Sequence, residues 1–220
     1  MRTFLFLLLS FSTLGLVAQT ALERRLEAQG MVRLSRIDPS IRVSLMYSRA
    51  DNFTGRVLYT DLTTAYLHPE AATALKRAQT ALKRLRPDLS LIVYDAVRPM
   101  SVQQQMYNVV RGTSKAIYVS NPKNGGGLHN YGLAVDITLC NAQGDTLDMG
   151  TPIDYLGRAA HTDIEAELQR SGRISAEAVA NRQLLRKVMA AGGFRVLRTE
   201  WWHFNLRTRA EAKRRYQVVK

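Results

Sequence analysis

The sequence predicts a single α+β domain in which helices flank a mainly antiparallel central sheet. Helical and strand-like patterns are mixed along the chain, and no internal repeat or linker divides it. The 220 residues suffice for one domain with a sizeable core and are too few for two of ordinary size. Hydrophobic residues make up 46% of the chain and charged residues 22%, which is ordinary for a globular protein and argues against wholesale disorder.

The first 18 residues have the pattern of a secretory signal peptide. Arg2 provides the positive start, and an apolar stretch and a small-residue cleavage site ending in Ala18 follow it. The apolar stretch is too short for a stable membrane span, and it lacks the following cysteine that a lipoprotein requires. We therefore predict that residues 1–18 are removed on export to the periplasm, and that residues 19–220 form the folded domain, without stable membrane insertion.

The first half of the predicted domain combines short strands with two longer helices. Pro69 is well placed at the first position of a helix, and Ser101 with Gln104 forms a capping box that opens another. Alternating apolar residues predict a strand that ends at Tyr47. The predicted elements are, in order, a polar helix over 19–30, strands over 41–47 and 56–59, a helix over 69–85, a strand over 90–94 and a helix from 101 to about 110.

The second half is predicted to contain the strands that carry most of the polar motifs. Over 131–139 apolar residues occupy alternate positions, so Asp136 lies on the face turned away from the apolar layer. A helix over 175–191 ends at a pair of glycines, which is a good stop signal. Residues 194–206 then form a strand pair or one bent strand.

Composition limits the partners and the chemistry of the protein. The formal net charge of +13 would suit nucleic acid, an anionic membrane face or an acidic polymer such as cell wall. Much of this charge lies in helical runs such as Lys76-Arg77 and Lys83-Arg84, which is typical of solvated faces. Because no basic stretch is interleaved with aromatic residues, we predict no nucleic-acid partner. Cys140 is the only cysteine, which excludes an intrachain disulfide, and we expect it to pack as a small hydrophobe.

Two short stretches supply the groups from which a zinc site can be built. The first contains His129 and Asp136, and the second contains Glu200 and His203. Zinc binds neutral histidine nitrogen and carboxylate oxygen at about 2.0 to 2.2 Å, and a catalytic site uses three protein ligands and keeps a fourth position open. His129, Asp136 and His203 are therefore candidate ligands, and Glu200 remains as a candidate base.

Each of these motifs also has a purely structural interpretation. On one helix His129 and Asp136 would be about 10 Å apart along the axis, so a loop must fold back beside the strand if they share an ion. Otherwise His129 caps a turn and Asp136 is a hydrogen-bonded strand carboxylate. Glu200 and His203 would face opposite sides of a flat strand, so we predict a bulge or bend near Glu200, or a Glu200 just outside the strand. Otherwise His203 is a satisfied buried histidine and Glu200 lies at the surface.

Arg98 follows a predicted strand and precedes a proline, three residues after Asp95. A surface ion pair between these two residues is the simplest interpretation, and such pairs contribute little stability. His68 and His161 are predicted not to be metal ligands. His68 precedes a helix that it can cap, and His161 lies in a polar segment.

In combination these motifs resemble the D-alanyl-D-alanine dipeptidases of the VanX type, within the zinc D,D-peptidase group. Three spaced motifs in one order are far more specific together than singly, and with two further stretches the resemblance covers most of the predicted domain. The stretches are Asp51-Asn52-Phe53-Thr54-Gly55, Asp95-Ala96-Val97-Arg98-Pro99, His129 to Asp136, Met149-Gly150-Thr151-Pro152 and Glu200-Trp201-Trp202-His203. The chain departs from the family at Gly127, where a serine is common.

The resemblance implies a zinc D,D-peptidase fold with one zinc ion and a small D-amino-acid dipeptide substrate from peptidoglycan metabolism. The sequence leaves the oligomeric state open. The implied roles are zinc ligand for His129, Asp136 and His203, catalytic base for Glu200, transition-state arginine for Arg98, and substrate contact or support of the site for Asp95 and Tyr131.

Two other functions are compatible with the same motifs. One is a zinc D,D-carboxypeptidase that acts on longer stem peptides of peptidoglycan. An open groove would favour that activity, whereas a narrow, capped pocket would favour the dipeptidase. The other is a non-catalytic binding module that keeps the zinc ligands. The presence of both Glu200 and Arg98 argues against such a module, because a binding site needs neither.

Overall fold

A five-stranded sheet forms the centre of the computed structural model, which describes residues 19–219. The predicted signal peptide lies outside the described residues. None of the helices formed by residues 19–219 is long and apolar enough to cross a membrane. The α-helices are α1 (Ala21–Ala28), α2 (Leu34–Ile37), α3 (Pro69–Leu85), α4 (Met100–Val110), α5 (Glu165–Arg170), α6 (Ala176–Gly192) and α7 (Arg209–Arg215). The strands are β1 (Val32–Arg33), β2 (Arg42–Val43), β3 (Tyr66–Leu67), β4 (Ser90–Asp95), β5 (Ala134–Cys140), β6 (Arg195–Leu197) and β7 (Glu200–Asn205).

The strand order in the sheet is β2–β4–β5–β7–β6, and β1 and β3 form a separate antiparallel pair. β2 is parallel to β4, and the other neighbouring strands of the sheet are antiparallel. The predicted α+β architecture with a mainly antiparallel sheet is therefore confirmed. β5 is the central strand, and all of its residues are buried. Asp136 is therefore buried too, although its side chain lies on the face opposite the aliphatic residues of the strand. Cys140 is fully buried at the end of β5, as predicted.

Helix limits agree with the predicted ones where local caps set them. His68 Nδ1 accepts a hydrogen bond from the backbone N–H of Glu70 at the start of α3, which confirms its role as a cap. The Ser175 hydroxyl accepts a backbone N–H in the first turn of α6. Gly193 ends α6 in a left-handed conformation with φ of 98°. α3 and α6 pack against each other beside the sheet.

The predicted strand over 41–47 is much shorter than expected. Only β2 pairs with a neighbour, and a 3₁₀ turn over Met46–Ser48 then bends the chain away. Met46 and Tyr47 are consecutive and both are buried. A strand with one buried face buries every second residue, so the alternation over 41–47 does not describe this segment.

Two other predictions are wrong because distant backbone groups supply the hydrogen bonds. Segment 56–59 is not a strand, since two of its N–H groups donate to the single carbonyl of Tyr47. α4 begins at Met100, whose N–H donates to the carbonyl of Val219 at 3.0 Å. Ser101 is exposed and does not form the expected capping box. A backbone carbonyl from the far end of the chain replaces it.

Gly132 joins the turn that carries His129 to β5 and has a left-handed backbone. Its φ is 67°, and a Cβ there would lie 2.8 Å from the backbone nitrogen of His68. A left-handed non-glycine residue costs about 1–3 kcal/mol, and we expect Gly132→Ala to lower the free energy of unfolding by more than this because the clash must also be relieved. Gly172→Ala is the matched control, since Gly172 has φ of 70° and open space around it. Equal losses for the two variants in urea unfolding would contradict the prediction.

Candidate active site

Two neighbouring strands and one turn bring the predicted ligands together. Asp136 on β5 pairs directly with His203 on β7 across the antiparallel ladder, so their side chains share one face. His129 lies on the 3₁₀ turn Leu128–Tyr131, and Gly132 then turns the chain into β5. This is the predicted loop that folds back beside the strand, and it places His129 next to Asp136.

Three potential ligand atoms converge in this arrangement. His129 Nε2 lies 3.3 Å from Asp136 Oδ1 and 3.1 Å from His203 Nδ1. His203 Nδ1 lies 3.0 Å from the same Asp136 oxygen. Within residues 19–219 these side chains form a group that could hold a metal ion, and His68 and His161 lie outside this group.

Hydrogen bonds on the far side of each imidazole set its tautomer. His129 Nδ1–H donates to the carbonyl of Ala96 at 2.7 Å, and His203 Nε2–H donates to Asn205 Oδ1 at 2.9 Å. Each ring therefore presents its unprotonated nitrogen to Asp136. The result is a carboxylate and two lone pairs directed at one point.

The chemistry of this donor set fits a zinc ion. Three hydrogen-bond acceptors so close together repel one another unless a cation lies between them. Ligand atoms at 2.0–2.2 Å from a tetrahedral ion are about 3.3–3.6 Å apart, which is close to the observed 3.0–3.3 Å. Two histidines and one carboxylate form a typical three-residue catalytic set that leaves a fourth position for water or substrate.

Glu200 begins β7 and lies beside the three ligands. The β6–β7 register shifts between Val196 and Leu197, which confirms the predicted irregularity near Glu200. Glu200 Oε2 lies 3.7 Å from His203 Nδ1, so the two side chains share one side of the strand. Burial raises the pKa of the Glu200 carboxyl to about 8, although His203 opposes this shift. A carboxyl with a pKa near neutrality is suited to proton transfer.

Arg98 is only 7% exposed, which excludes the surface ion pair. Its Nε and Nη2 donate to Asp95 Oδ2 at 2.8 and 2.5 Å, and Nη2 lies 3.4 Å from Asp136 Oδ2. Nη1 donates to Gln103 Oε1 at 3.0 Å, and the guanidinium lies over the ring of Tyr47. Burial alone would lower the pKa of an arginine, but Asp95 raises that of Arg98 well above its ordinary value. Arg98 is therefore a fixed positive charge next to the ligand cluster.

Asp95 and Tyr131 support the site from behind. Asp95 is fully buried, and its second oxygen accepts a hydrogen bond from the Tyr59 hydroxyl at 2.5 Å. It therefore orients Arg98 from a rigid position. The Tyr131 hydroxyl donates to the carbonyl of Gly125 at 3.2 Å, and the ring is buried outside the cavity lining. Tyr131 thus holds the glycine-rich loop in place.

Several polar residues of the site carry no sequence pattern that would have identified them. Asp154 is the most unusual, with φ of 64° and an Oδ2 that accepts the Tyr47 hydroxyl at 2.7 Å. Burial, reinforced by the nearby negative charge of Asp136, raises the pKa of Asp154 to about 7. Its only signal in the sequence is its position two residues after Met149-Gly150-Thr151-Pro152. The polar residues of the site that no sequence pattern identified are Tyr47, Gln103, Asp154 and Asn205.

The cavity at this site has a volume of about 290 Å³ and is lined by the three candidate ligands, Glu200 and Arg98. The lining includes Asp154, whose negative charge contributes to the raised pKa of Glu200 at the start of β7. It also includes Arg209, which follows the end of β7 and donates to the carbonyl of Gly126. That carbonyl carries no negative charge to offset the positive charge of Arg209. The cavity lining therefore carries one acidic group at Asp154 and one basic group at Arg209.

Known proteins are similar to this sequence over most of its length. The D-ala-D-ala dipeptidase family, Peptidase_M15, matches residues 27–220. The chain is 33% identical over 179 residues to the D-alanyl-D-alanine dipeptidase of Escherichia coli, a match that covers 80% of this chain and 84% of the relative. It is 28% identical over 198 residues to the Enterococcus faecalis enzyme of that name, covering 80% and 91%. Against the Streptomyces coelicolor enzyme it is 31% identical over 189 residues, covering 76% and 86%.

These matches confirm the resemblance that the spaced motifs indicate. They also agree with the geometry, in which a possible metal site, a buried carboxyl and a buried arginine meet in one cavity. The chain belongs to the D-ala-D-ala dipeptidase family of peptidases.

Proposed function

We propose that this peptidase is a zinc-dependent dipeptidase that hydrolyses D-Ala-D-Ala or a related dipeptide of D-residues. The observation that carries the proposal is the convergence of three zinc-ligand atoms, a buried carboxyl and a buried arginine in one small cavity. The names of the relatives support the choice of substrate. A non-catalytic binding module would need neither Glu200 nor Arg98 in these positions.

The size and the charges of the cavity suit a free dipeptide. Its volume of about 290 Å³ lies at the small end of ligand cavities, which range from roughly 300 to 1,000 Å³. A zwitterionic dipeptide matches the two charged groups of the lining, and we propose that its ammonium group lies toward Asp154 and its carboxylate toward Arg209. The peptide bond would then lie beside Glu200 and Arg98.

The residues between the cavity and an outer groove bear on the choice between the dipeptidase and the D,D-carboxypeptidase. Phe53, Asp154 and Leu156 line both the catalytic cavity and the outer groove, so they lie between the two. A longer peptide that entered from the groove would have to pass these side chains to place its last two residues in the cavity. A carboxypeptidase that accepts stem peptides needs an open groove at this point instead.

The residues of the cavity have complementary roles in hydrolysis. When bound by the three ligands, zinc would supply a Lewis acid that lowers the pKa of a nearby water toward about 7. A zinc ion there would also lower the pKa of the Glu200 carboxyl, because an adjacent positive charge favours the ionised form. Glu200 accepts a proton from the attacking water and passes it to the amine nitrogen as the peptide bond breaks. Arg98, held by Asp95 and Gln103, donates to the carbonyl oxygen as negative charge develops on it.

Kinetics of the purified mature protein, residues 19–220, test the proposal. We expect hydrolysis of D-Ala-D-Ala, much slower release of D-Ala from a pentapeptide stem, and loss of activity with a chelator that added zinc restores. Comparable rates on both peptides would favour the carboxypeptidase. Inactivity of the zinc-loaded protein on both would refute the proposed function.

We also propose that residues 1–18 direct export, so that the enzyme acts in the periplasm. The proposal is supported by the positive start and apolar stretch of this segment. Cell fractionation tests it with the full chain and with a chain that lacks residues 2–18. We expect the full chain in the periplasm in a shortened form, and full-length protein retained in the cytoplasm would contradict the proposal.

Removal of a ligand or of its support is expected to weaken zinc binding to different degrees. His203→Ala deletes one of three ligands and is expected to lose most of the zinc. Asn205→Ala keeps all three but leaves His203 Nε2 without its acceptor, so zinc affinity is expected to fall about 10–100-fold. Metal analysis and competition with a chelator measure both effects, and Asn108→Ala, at an exposed position, is the control. Full zinc occupancy in both His129→Ala and His203→Ala would refute the ligand set.

A further inference from the structure

Gly127 lacks a side chain for a reason other than its backbone conformation. Its φ of −106° and ψ of −177° are extended values that any residue adopts. A Cβ added to Gly127, however, would lie 3.0 Å from Ser120 Oγ and 3.3 Å from Ser120 Cβ. Both residues line the catalytic cavity. A side chain at position 127 would therefore be crowded by Ser120, which would have to move by a few tenths of an ångström.

Ser120 and the basic residue Arg209 both line the cavity and adjoin the same part of the chain. The Arg209 guanidinium donates to the carbonyl of Gly126, the residue before the glycine just described, so Arg209 and Ser120 flank the same short stretch. The Ser120 carbonyl accepts a hydrogen bond from Gln103 Nε2 at 2.8 Å, and Gln103 Oε1 accepts one from Arg98. Ser120 is thus fixed relative to Arg98, which adjoins the ligand cluster.

We propose that Ser120 is a specificity-determining residue whose hydroxyl, with the Arg209 guanidinium, binds the terminal carboxylate of the dipeptide. Gly127 leaves room for this hydroxyl, which a Cβ at position 127 would crowd. A serine hydroxyl has one proton to donate, and hydrogen bonds to an ionised acceptor are about twice as strong as neutral ones. Asp154, also in the cavity lining, suits an ammonium group, so the two charged groups would favour one orientation of the dipeptide. This inference rests on the proposed function and adds a substrate contact to it.

Substrates with and without a free carboxylate test the inference on the zinc-loaded mature protein. We expect Ser120→Ala to raise KM for D-Ala-D-Ala about tenfold or more. For the C-terminal amide of the same dipeptide, KM should stay within about twofold, because the amide lacks the charge that the hydroxyl recognises. The matched control is Ser114→Ala, an exposed serine outside the cavity lining. Equal changes in KM for peptide and amide, or no change in either, would overturn the inference.

An exchange of the two side chains tests the shared space directly. The double variant Ser120→Gly, Gly127→Ser supplies a hydroxyl from the opposite side of that space. It is expected to regain part of the preference for the free carboxylate that Ser120→Gly loses, and no regain would overturn the role given to Gly127. Thermal unfolding shows that each variant is folded. A wild type that hydrolyses no D-dipeptide refutes the proposed function, whereas an active wild type with unaltered Ser120→Ala kinetics refutes only this inference.

Discussion

Glu200→Gln is expected to keep zinc and the fold while kcat for D-Ala-D-Ala falls by about 10²- to 10⁴-fold, the usual contribution of a general base. Glutamine has nearly the size of glutamate but cannot accept the proton of the attacking water. Glu200 is 6% exposed and lies 3.7 Å from a ligand nitrogen, so it is close to the site where the water would be activated. The measurements are kcat, KM and zinc content for the variant.

Asp154 is the alternative base in the same cavity, and its variant separates the two roles. Asp154 accepts a hydrogen bond from Tyr47 and borders the outer groove, which suits it to bind an ammonium group. We therefore expect Asp154→Asn to raise KM more than it lowers kcat. Glu167→Gln, at an exposed position on α5, is the control. Near-normal kcat in zinc-bound Glu200→Gln, with a large loss in Asp154→Asn, would transfer the base to Asp154.

The helices could be predicted from the sequence because their limits depend on groups within one turn. A cap such as His68 or Ser175, and a left-handed glycine such as Gly193, act on neighbouring backbone groups. α4 shows the limit of this reasoning, since the acceptor for Met100 comes from the far end of the chain. The strand predicted over 41–47 is wrong for a similar reason, because tertiary packing buries the consecutive side chains of Met46 and Tyr47.

The candidate zinc ligands and the candidate base could be proposed from residue type and spacing, but the surroundings that would give them their chemistry could not. Arg98 has the local sequence of a surface residue, but Gln103 and Tyr47 contact its guanidinium in the folded chain, where it is buried. Asn205 is an ordinary strand residue until β7 places it against His203. Asp154 likewise gains its raised pKa from neighbours far away in sequence. Such groups act through tertiary contacts, which no local pattern encodes.

Arg98→Lys is expected to lower kcat about 10²- to 10³-fold, the usual cost of one lost donor to a developing oxyanion. Lysine keeps the positive charge but loses the planar set of donors. In the structure that set reaches Asp95 and Gln103 at once and lies beside Asp136. KM should change much less, because the oxygen that Arg98 binds becomes negative mainly in the transition state.

A buried arginine elsewhere in the chain separates this catalytic effect from a general loss of packing. Arg182 is fully buried outside the cavity lining and donates to the carbonyls of Met149 and Ala159. Arg182→Lys should therefore lower the unfolding temperature while kcat changes only a few-fold. Arg98→Ala is less informative, because an unpaired Asp95 would remain buried at a cost of about 3–5 kcal/mol. A loss confined to KM in Arg98→Lys would make Arg98 an anchor for the substrate, and equal losses of kcat in both lysine variants would remove its special role at the oxyanion.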